Sequence, residues 1–147
     1  MADNYVHMSE MIKDIPAEGI AWLMNVFSKN PKEYENQDAE LRSLLSVDEN
    51  ADLDCWPDFA YEVEESSLWL YAEGGIDLQH VEILVRELIT RFMPDFIFSC
   101  TVAETCSKPR ISEFGGSWMV VSKDETKGGG TWSAANAAIK EMQKEVV

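Results

Sequence analysis

The sequence predicts an α+β fold whose antiparallel sheet is of the ferredoxin-like type. Two adjacent stretches alternate between polar and apolar residues, and other stretches repeat apolar residues at helical spacing. The predicted elements begin in the order βαββαβ, which is the ferredoxin-like order, and an added C-terminal strand and helix follow. We expect the helices to cover one face of the sheet. A length of 147 residues is common for one domain, so residues 1–147 are predicted to form a single α+β domain.

The first two elements are a weakly indicated strand and a clearly indicated helix. Apolar and polar residues alternate in part between Tyr5 and Ile15, which favours a strand. Pro16 stands where helices often begin, with Asp14 as a candidate cap. Apolar residues then recur at helical spacing, so an amphipathic helix is predicted over 17–28.

Residues 29–57 are predicted to form an acidic connecting segment within the domain. Leucines and a valine between Leu41 and Val47 can form one short helix inside it. The remainder, above all 48–57, is typical of a solvated connection. Long irregular segments are uncommon in compact domains and are often functional.

The most regular patterns lie in the middle of the chain. Strict alternation predicts a strand over 58–64, and a turn at 65–66 joins it to a partner strand over 67–73. Asp77 is placed to cap the next helix. That helix carries the most regular apolar stripe in the sequence, from Val81 to Phe92.

The C-terminal third is predicted to contain two strands, a hinge and a helix. Alternation favours a strand over 96–102 and another over 117–123, separated by a loop that holds 106–116. The glycines of 127–130 are typical of a flexible hinge. A last helix is predicted from about Thr131. Its expected buried residues are Ala135, Ile139, Met142 and Val146.

The negative charge of the chain is concentrated in one window. The formal net charge is −15, and residues 33–65 hold twelve acids against a single base, Arg42, so this window carries −11. The acids are Glu33, Glu35, Asp38, Glu40, Asp48, Glu49, Asp52, Asp54, Asp58, Glu62, Glu64 and Glu65. From residue 100 to the end, six acids meet six bases. Such a window either concentrates negative potential for a partner or simply keeps the protein soluble.

The cysteines and histidines do not form a recognisable catalytic or metal-binding motif. The three cysteines are sparse and odd in number, which favours free thiols in a reducing compartment. Cys106 lies near basic residues that would favour a thiolate, but no motif places a histidine beside it. Neither His7 nor His80 has the partners at short spacing that zinc requires. We therefore predict no cofactor, no metal site and no catalytic residues.

One loop near the C-terminus combines two bases, a proline and two glycines. It contains Thr105-Cys-Ser-Lys-Pro-Arg110, followed by Glu113-Phe-Gly-Gly116. Lys108 and Arg110 either pair with neighbouring acids or present cations to an anionic partner. With these motifs the chain resembles small acidic proteins encoded by phages and prophages, most strongly from Trp69 to Val121. The resemblance implies a phage-linked accessory protein and supplies no established activity.

The charge distribution favours a non-enzymatic binding or inhibitory protein that engages a basic partner. A host nucleic-acid-binding protein would fit, whether the protein mimics nucleic acid or counters a host defence, whereas nucleic acid itself would be repelled. The longest apolar segment is too short to span a membrane and the N-terminus is acidic, so a cytoplasmic location is expected. The predicted partner-binding residues are Glu33, Glu35, Asp38, Glu40, Asp48, Glu49, Asp52, Asp54, Glu62, Glu64 and Glu65, with Lys108 and Arg110 as a separate pair.

Two other kinds of function remain open on the sequence alone. The first is a small-molecule binder or enzyme on the same scaffold, with a pocket near Cys106 and Arg110. Its expected lining residues are Trp69, Tyr71, Trp118, Cys106 and Arg110. The second is a homo-oligomer that buries exposed aromatic side chains of one sheet face against a copy of itself.

Overall fold

A computed structural model describes residues 3–111 and 113–145 of the chain. Within them the chain forms six strands and four helices. The strands are β1 (Asn4–Ile12), β2 (Ala60–Val63), β3 (Leu68–Ala72), β4 (Phe98–Cys106), β5 (Gly115–Val121) and β6 (Thr126–Gly130). The helices are α1 (Ala17–Phe27), α2 (Glu35–Leu45), α3 (Leu78–Phe92) and α4 (Thr131–Glu145).

The strands form one open antiparallel sheet in the order β2-β3-β1-β4-β5-β6. The predicted α+β class is therefore confirmed. The hairpin β2–β3 forms one end of the sheet, and the meander β4–β5–β6 forms the other. Strand β1 joins the two halves, because it pairs with β3 on one side and with β4 on the other.

The pairing of β1 changes along its length. Its first half pairs with β4, from Asn4 opposite Cys106 to His7 opposite Ala103. Its second half pairs with β3, from Met8 opposite Ala72 to Ile12 opposite Leu68. The ladder between β1 and β4 therefore ends halfway along β1, which leaves an opening in the pairing at the middle of the sheet.

Three helices form a layer on one face of the sheet. Helices α1, α2 and α3 contact one another, and their apolar stripes supply ten of the 23 buried residues of the core. The strands contribute alternate residues to the same core, as the buried Leu68 and Leu70 of β3 show. The predicted alternation and helical spacing are thus confirmed for β2, β3, α1 and α3. Asp77 caps α3 as expected, because its carboxylate accepts a hydrogen bond from the Gln79 N–H at 2.9 Å.

Two local predictions near the first helix and the last strand are wrong. Asp14 does not cap α1, since Pro16 is the N-cap residue and no side chain accepts a hydrogen bond there. The glycine run at 127–130 is not a hinge but most of strand β6. The indole of Trp118 lies over Gly129, and a Cβ added there would come within 3.0 Å of the ring nitrogen. This close approach favours glycine at that position. The added C-terminal part therefore holds two strands, not one.

Helix α4 forms where predicted, but its expected burial is wrong. Every described side chain of α4 is exposed, with Ile139 51% and Met142 65% accessible, and Ala135 is exposed as well. The helix begins at Thr131, directly after the edge strand β6, so no connection allows it to return across the sheet. The helical layer already covers the core face. Val146, the fourth residue expected to be buried, lies outside the described residues.

The contrast between α3 and α4 predicts very different costs for truncating similar side chains. Leu88 is fully buried, so Leu88→Ala should lower the free energy of unfolding by about 2–5 kcal/mol. Ile139→Ala on α4 should change it by less than about 0.5 kcal/mol, because the side chain is already in water. Urea unfolding monitored by circular dichroism measures both. A loss above about 2 kcal/mol for Ile139→Ala would show that α4 packs on the monomer.

Candidate functional site

The acidic window forms an exposed surface, which we call the acidic surface. It consists of the twelve carboxylates between Glu33 and Glu65, carried by α2, the connection after it, and β2 with its following turn. All are exposed except Asp38, which is half-buried. Strand β2 is one edge of the sheet, and α2 packs against α1 and α3. The part of the chain from β4 to α4 carries no net charge.

Internal cations neutralise little of this charge. Lys29 Nζ lies 2.8 Å from Glu40 Oε2, and Arg42 Nε lies 3.0 Å from Asp38 Oδ2. The other ten carboxylates of the acidic surface form no ion pair among the described residues. Most of its charge therefore faces solvent without a partner.

Arg42, the one base within the window, also holds the connection that follows α2. In addition to its pair with Asp38, its guanidinium donates hydrogen bonds to the backbone oxygens of Asp48 and Ala51, the latter at 2.8 Å. The turn into this connection begins at Ser46, which has a left-handed backbone with φ of 54°. A planar guanidinium with several donors can bridge such separated acceptors, which an ammonium group cannot do from one position.

A buried histidine attaches the same connection to α3. His80 is 2% exposed, and its Nδ1 accepts a hydrogen bond from the Asp58 N–H at 3.2 Å. Its Nε2 lies 2.7 Å from the carbonyl oxygen of Asp52, so this nitrogen carries the proton and donates. Both ring nitrogens are thus used by backbone groups of the acidic connection, and this pairing specifies the neutral tautomer.

Two apolar side chains complete the attachment. Leu53 and Trp56 are buried in the core, and the Trp56 ring packs against Phe59 and against the His80 imidazole. The connection was expected to be solvated throughout, and this is wrong for its apolar residues. Their carboxylate neighbours Asp52 and Asp54 are exposed. The segment therefore presents its charges from an anchored backbone.

The structure separates the basic pair from the acidic surface. Lys108 and Arg110 are exposed in the loop after β4, and neither forms an ion pair within the described part of the chain. Hydrogen bonds between Asp3 and Ser107 tie the start of that loop to the residues before β1. Strand β4 lies three strand spacings from β2, or about 14 Å. The pair is therefore a second feature and not part of the acidic surface.

The three cysteines occupy different environments. Cys55 is exposed, and Cys106 is half-buried, with its thiol donating a hydrogen bond to Glu113 Oε2 at 3.0 Å. Cys100 is buried in the core. Burial, with a further contribution from the Glu10 carboxylate, raises the pKa of the Cys100 thiol to about 11.

A cleft lies on the face of the sheet opposite the helices, and we call it the sheet cleft. Its volume is about 550 Å³, and its floor is formed by β1 where the pairing of that strand changes. Strand β3 forms one wall and β4 forms the other. The lining residues are His7, Met8, Ser9, Trp69, Tyr71, Ala72, Glu73, Thr101, Val102 and Ala103.

Two stacked aromatic rings dominate one wall of the sheet cleft. The ring centroids of Trp69 and Tyr71 are 4.0 Å apart with an interplanar angle of 24°. The indole N–H of Trp69 donates to Ser9 Oγ at 2.9 Å, which fixes the ring against β1. The Glu73 carboxylate at the end of this wall is exposed and forms no ion pair with any described residue.

The predicted pocket is correct for two of its five residues. Trp69 and Tyr71 line the sheet cleft, but Trp118, Cys106 and Arg110 do not. Sequence reasoning missed the residues of β1 and β4 that line it. No pattern in the sequence reveals where the pairing of β1 with β4 ends. Alternation alone would have placed His7 and Ser9 on the outer face, although it gives no sign of a cleft.

No group of three or more histidine, cysteine, aspartate or glutamate side chains suited to a metal ion occurs in residues 3–111 and 113–145. None of the helices described has the length and apolar character needed to cross a bilayer.

The attachment through His80 can be tested by its removal. His80→Ala deletes two hydrogen bonds and leaves a cavity beside Trp56, so the free energy of unfolding should fall by about 2–4 kcal/mol. Limited proteolysis should then cut within 46–58 faster than in the wild type. Gln79→Ala, at an exposed neighbouring position, is the control and should leave cleavage unchanged. Equal protection in both variants would contradict the anchoring role.

The thiol environments predict an order of alkylation. At pH 8, iodoacetamide should modify Cys55 first and Cys106 more slowly, while Cys100 should react only after unfolding. Burial blocks access to Cys100, and its raised pKa keeps the thiol protonated at this pH. Peptide mapping by mass spectrometry resolves the three sites. Modification of Cys100 in the folded protein at the rate of Cys55 would show that this part of the core opens readily.

Comparison with protein-family models, with curated proteins and with solved structures gives no match for this chain. Function is therefore inferred from the geometry of the acidic surface and of the sheet cleft.

Proposed function

We propose that this protein is a non-enzymatic binding protein that uses its acidic surface to engage a basic partner. The observation that carries the proposal is that ten carboxylates of this surface are free of ion pairs among the described residues, although the backbone that bears them is anchored. Unpaired charges on an ordered backbone concentrate negative potential where they lie, and such fields speed association with a surface of opposite charge.

The basic partner proposed is a host protein whose groove normally holds nucleic-acid phosphates. Exposed carboxylates spaced along α2, the connection and β2 can occupy such a groove in place of phosphates. Nucleic acid itself would be repelled by the same charges. Together with the resemblance to phage and prophage proteins, this supports an inhibitory or anti-defence role in the cytoplasm of a bacterial host.

Two residues of types that serve in catalysis, Cys106 and His80, have structural contacts. The Cys106 thiol contacts the carboxylate of Glu113, and both ring nitrogens of His80 are engaged by backbone groups. These contacts support a binding role for the protein over a catalytic one.

The finer fold assignment is also a proposal. Strands β2-β3-β1-β4 are antiparallel neighbours in that order, with α1 and α3 as the connecting helices, which supports a ferredoxin-like unit for this part of the chain. The sheet as a whole differs, because β5 and β6 extend it and α2 is inserted before β2. Folds of this kind host many functions, so the proposed activity depends on the acidic surface and not on the fold.

Neutralising part of the acidic surface should weaken binding far more than the same change elsewhere. A variant with Glu49→Gln, Asp54→Asn, Glu64→Gln and Glu65→Gln removes four exposed charges without touching an ion pair. At about 0.5 kcal/mol for each exposed charge pair, affinity should fall roughly 30-fold at low salt. The measurement is capture of proteins from a bacterial lysate at graded salt, followed by titration of the retained basic protein.

The matched control carries the same change in charge at other exposed positions. Its substitutions are Glu18→Gln, Asp95→Asn, Asp124→Asn and Glu141→Gln. Both variants have a formal charge of −11, so a difference between them reports the location of the charge. Retention of the same proteins by both, or retention of none that is basic, would refute the proposal.

A further inference from the structure

We propose that the sheet cleft binds the guanidinium group of an arginine side chain presented by the basic partner. This inference rests on the proposed function and names the group that the partner supplies at one defined position. It follows from the aromatic wall of the cleft, from the carboxylates beside that wall, and from the connection between the cleft and the acidic surface.

The register places carboxylates on both sides of the stacked rings. Glu62 lies directly opposite Trp69 in the pairing of β2 with β3, so the two side chains share the outer face of the sheet. Glu73 follows Tyr71 by two residues and lines the cleft itself. Both carboxylates are exposed, and neither forms an ion pair with a described residue. The aromatic pair is therefore flanked by unneutralised negative charge.

These groups match the chemistry of a guanidinium ion. A planar cation is attracted to the faces of tryptophan and tyrosine rings, and its N–H groups can pair with a carboxylate in two parallel hydrogen bonds. The hydroxyl groups of Ser9 and Thr101 in the lining offer further acceptors. An ammonium ion would gain the charge interaction without the stacking or the paired hydrogen bonds, so arginine should be preferred to lysine.

The lining is unsuited to the other common classes of ligand. Neither lysine nor arginine occurs among the lining residues, so a phosphate would meet Glu73 without a countercharge. The volume of about 550 Å³ lies within the range of ligand sites and leaves room for the arms of an extended peptide. Because Glu62 of the acidic surface lies beside Trp69, which lines the cleft, one basic partner can contact both.

The test uses an octapeptide of lysines and glycines with one central arginine, and the same peptide with lysine at that position. The two peptides have equal charge, so the ratio of their dissociation constants isolates recognition of the guanidinium. Titration calorimetry on the wild-type protein should give a preference for arginine of about fivefold. Equal affinity of the two peptides would overturn the inference.

Two variants locate the preference. Glu73→Gln should weaken the arginine peptide about fivefold more than Glu65→Gln, which removes the same charge from the acidic surface outside the cleft. Trp69→Leu should reduce the preference for arginine to near unity. If circular dichroism shows that Trp69→Leu does not fold, the comparison of Glu73→Gln with Glu65→Gln tests the inference alone. Equal effects of Glu73→Gln and Glu65→Gln would overturn the inference.

The same titrations separate this inference from the proposed function. Suppose that the variant with four neutralised acids binds neither peptide and that the wild type shows no preference for arginine. The acidic surface would then be the binding site, and the cleft would be excluded. A preference for arginine that survives in that variant, with the affinity of both peptides unchanged, would support the cleft and exclude the acidic surface. Self-association that Arg110→Ala abolishes would assign the guanidinium to a second copy and overturn the inference of a separate partner.

Discussion

The hydrogen bonds of the His80 imidazole are the constraint on which the acidic surface depends. A long irregular connection between α2 and β2 carries several like charges, and mutual repulsion of these charges favours an extended, mobile chain. The imidazole uses both nitrogens to hold backbone groups of Asp52 and Asp58, one as acceptor and one as donor. Side chains of Leu53 and Trp56 add apolar burial at the same place. The carboxylates are thereby held on an ordered backbone while they remain in water.

The residues that stabilise the fold are therefore different from those that carry the negative charge of the acidic surface. The core consists of apolar residues from the sheet and from α1, α2 and α3, and His80 is the one polar residue fully buried among those described. Almost none of the acidic surface is used to stabilise the monomer through ion pairs, and exposed pairs would contribute little in any case. Selection for stability alone therefore gives no reason for so many unpaired acids, whereas solubility or the proposed basic partner would.

The sequence predicted correctly those elements in which the order of polar and apolar residues reflects the burial of one face. Alternation located β2 and β3, and apolar spacing located α1 and α3, since burial of one face is what these patterns encode. Strand β6 was missed because Gly128, Gly129 and Gly130 have no side chains to alternate, and their strand conformation depends on pairing with β5. Helix α4 showed an apolar stripe, but whether a stripe is buried depends on where the helix can reach.

The candidate site was predictable in its charge and not in its shape. Counting acids located the acidic surface, because exposed carboxylates need no tertiary contact to remain in water. The sheet cleft lies where the ladder between β1 and β4 ends, after His7, while β1 stays paired on the β3 side, and this is a property of three strands together. The register also brings Glu62 opposite Trp69, so a charge from the predicted surface lies beside an aromatic wall that charge alone does not reveal.

The position of the cleft has a consequence for how a partner would be recognised. Long-range attraction to the acidic surface falls off within a Debye length of about 8 Å at physiological salt and does not distinguish lysine from arginine. A stacked aromatic pair beside a carboxylate acts only at contact and depends on the geometry of the cation. An extended charge that accelerates encounter, next to a small site that selects one side chain, can provide both speed and specificity. Because Glu62 of the acidic surface lies opposite Trp69 of the cleft, the two proposed functions would meet at the β2 edge of the sheet.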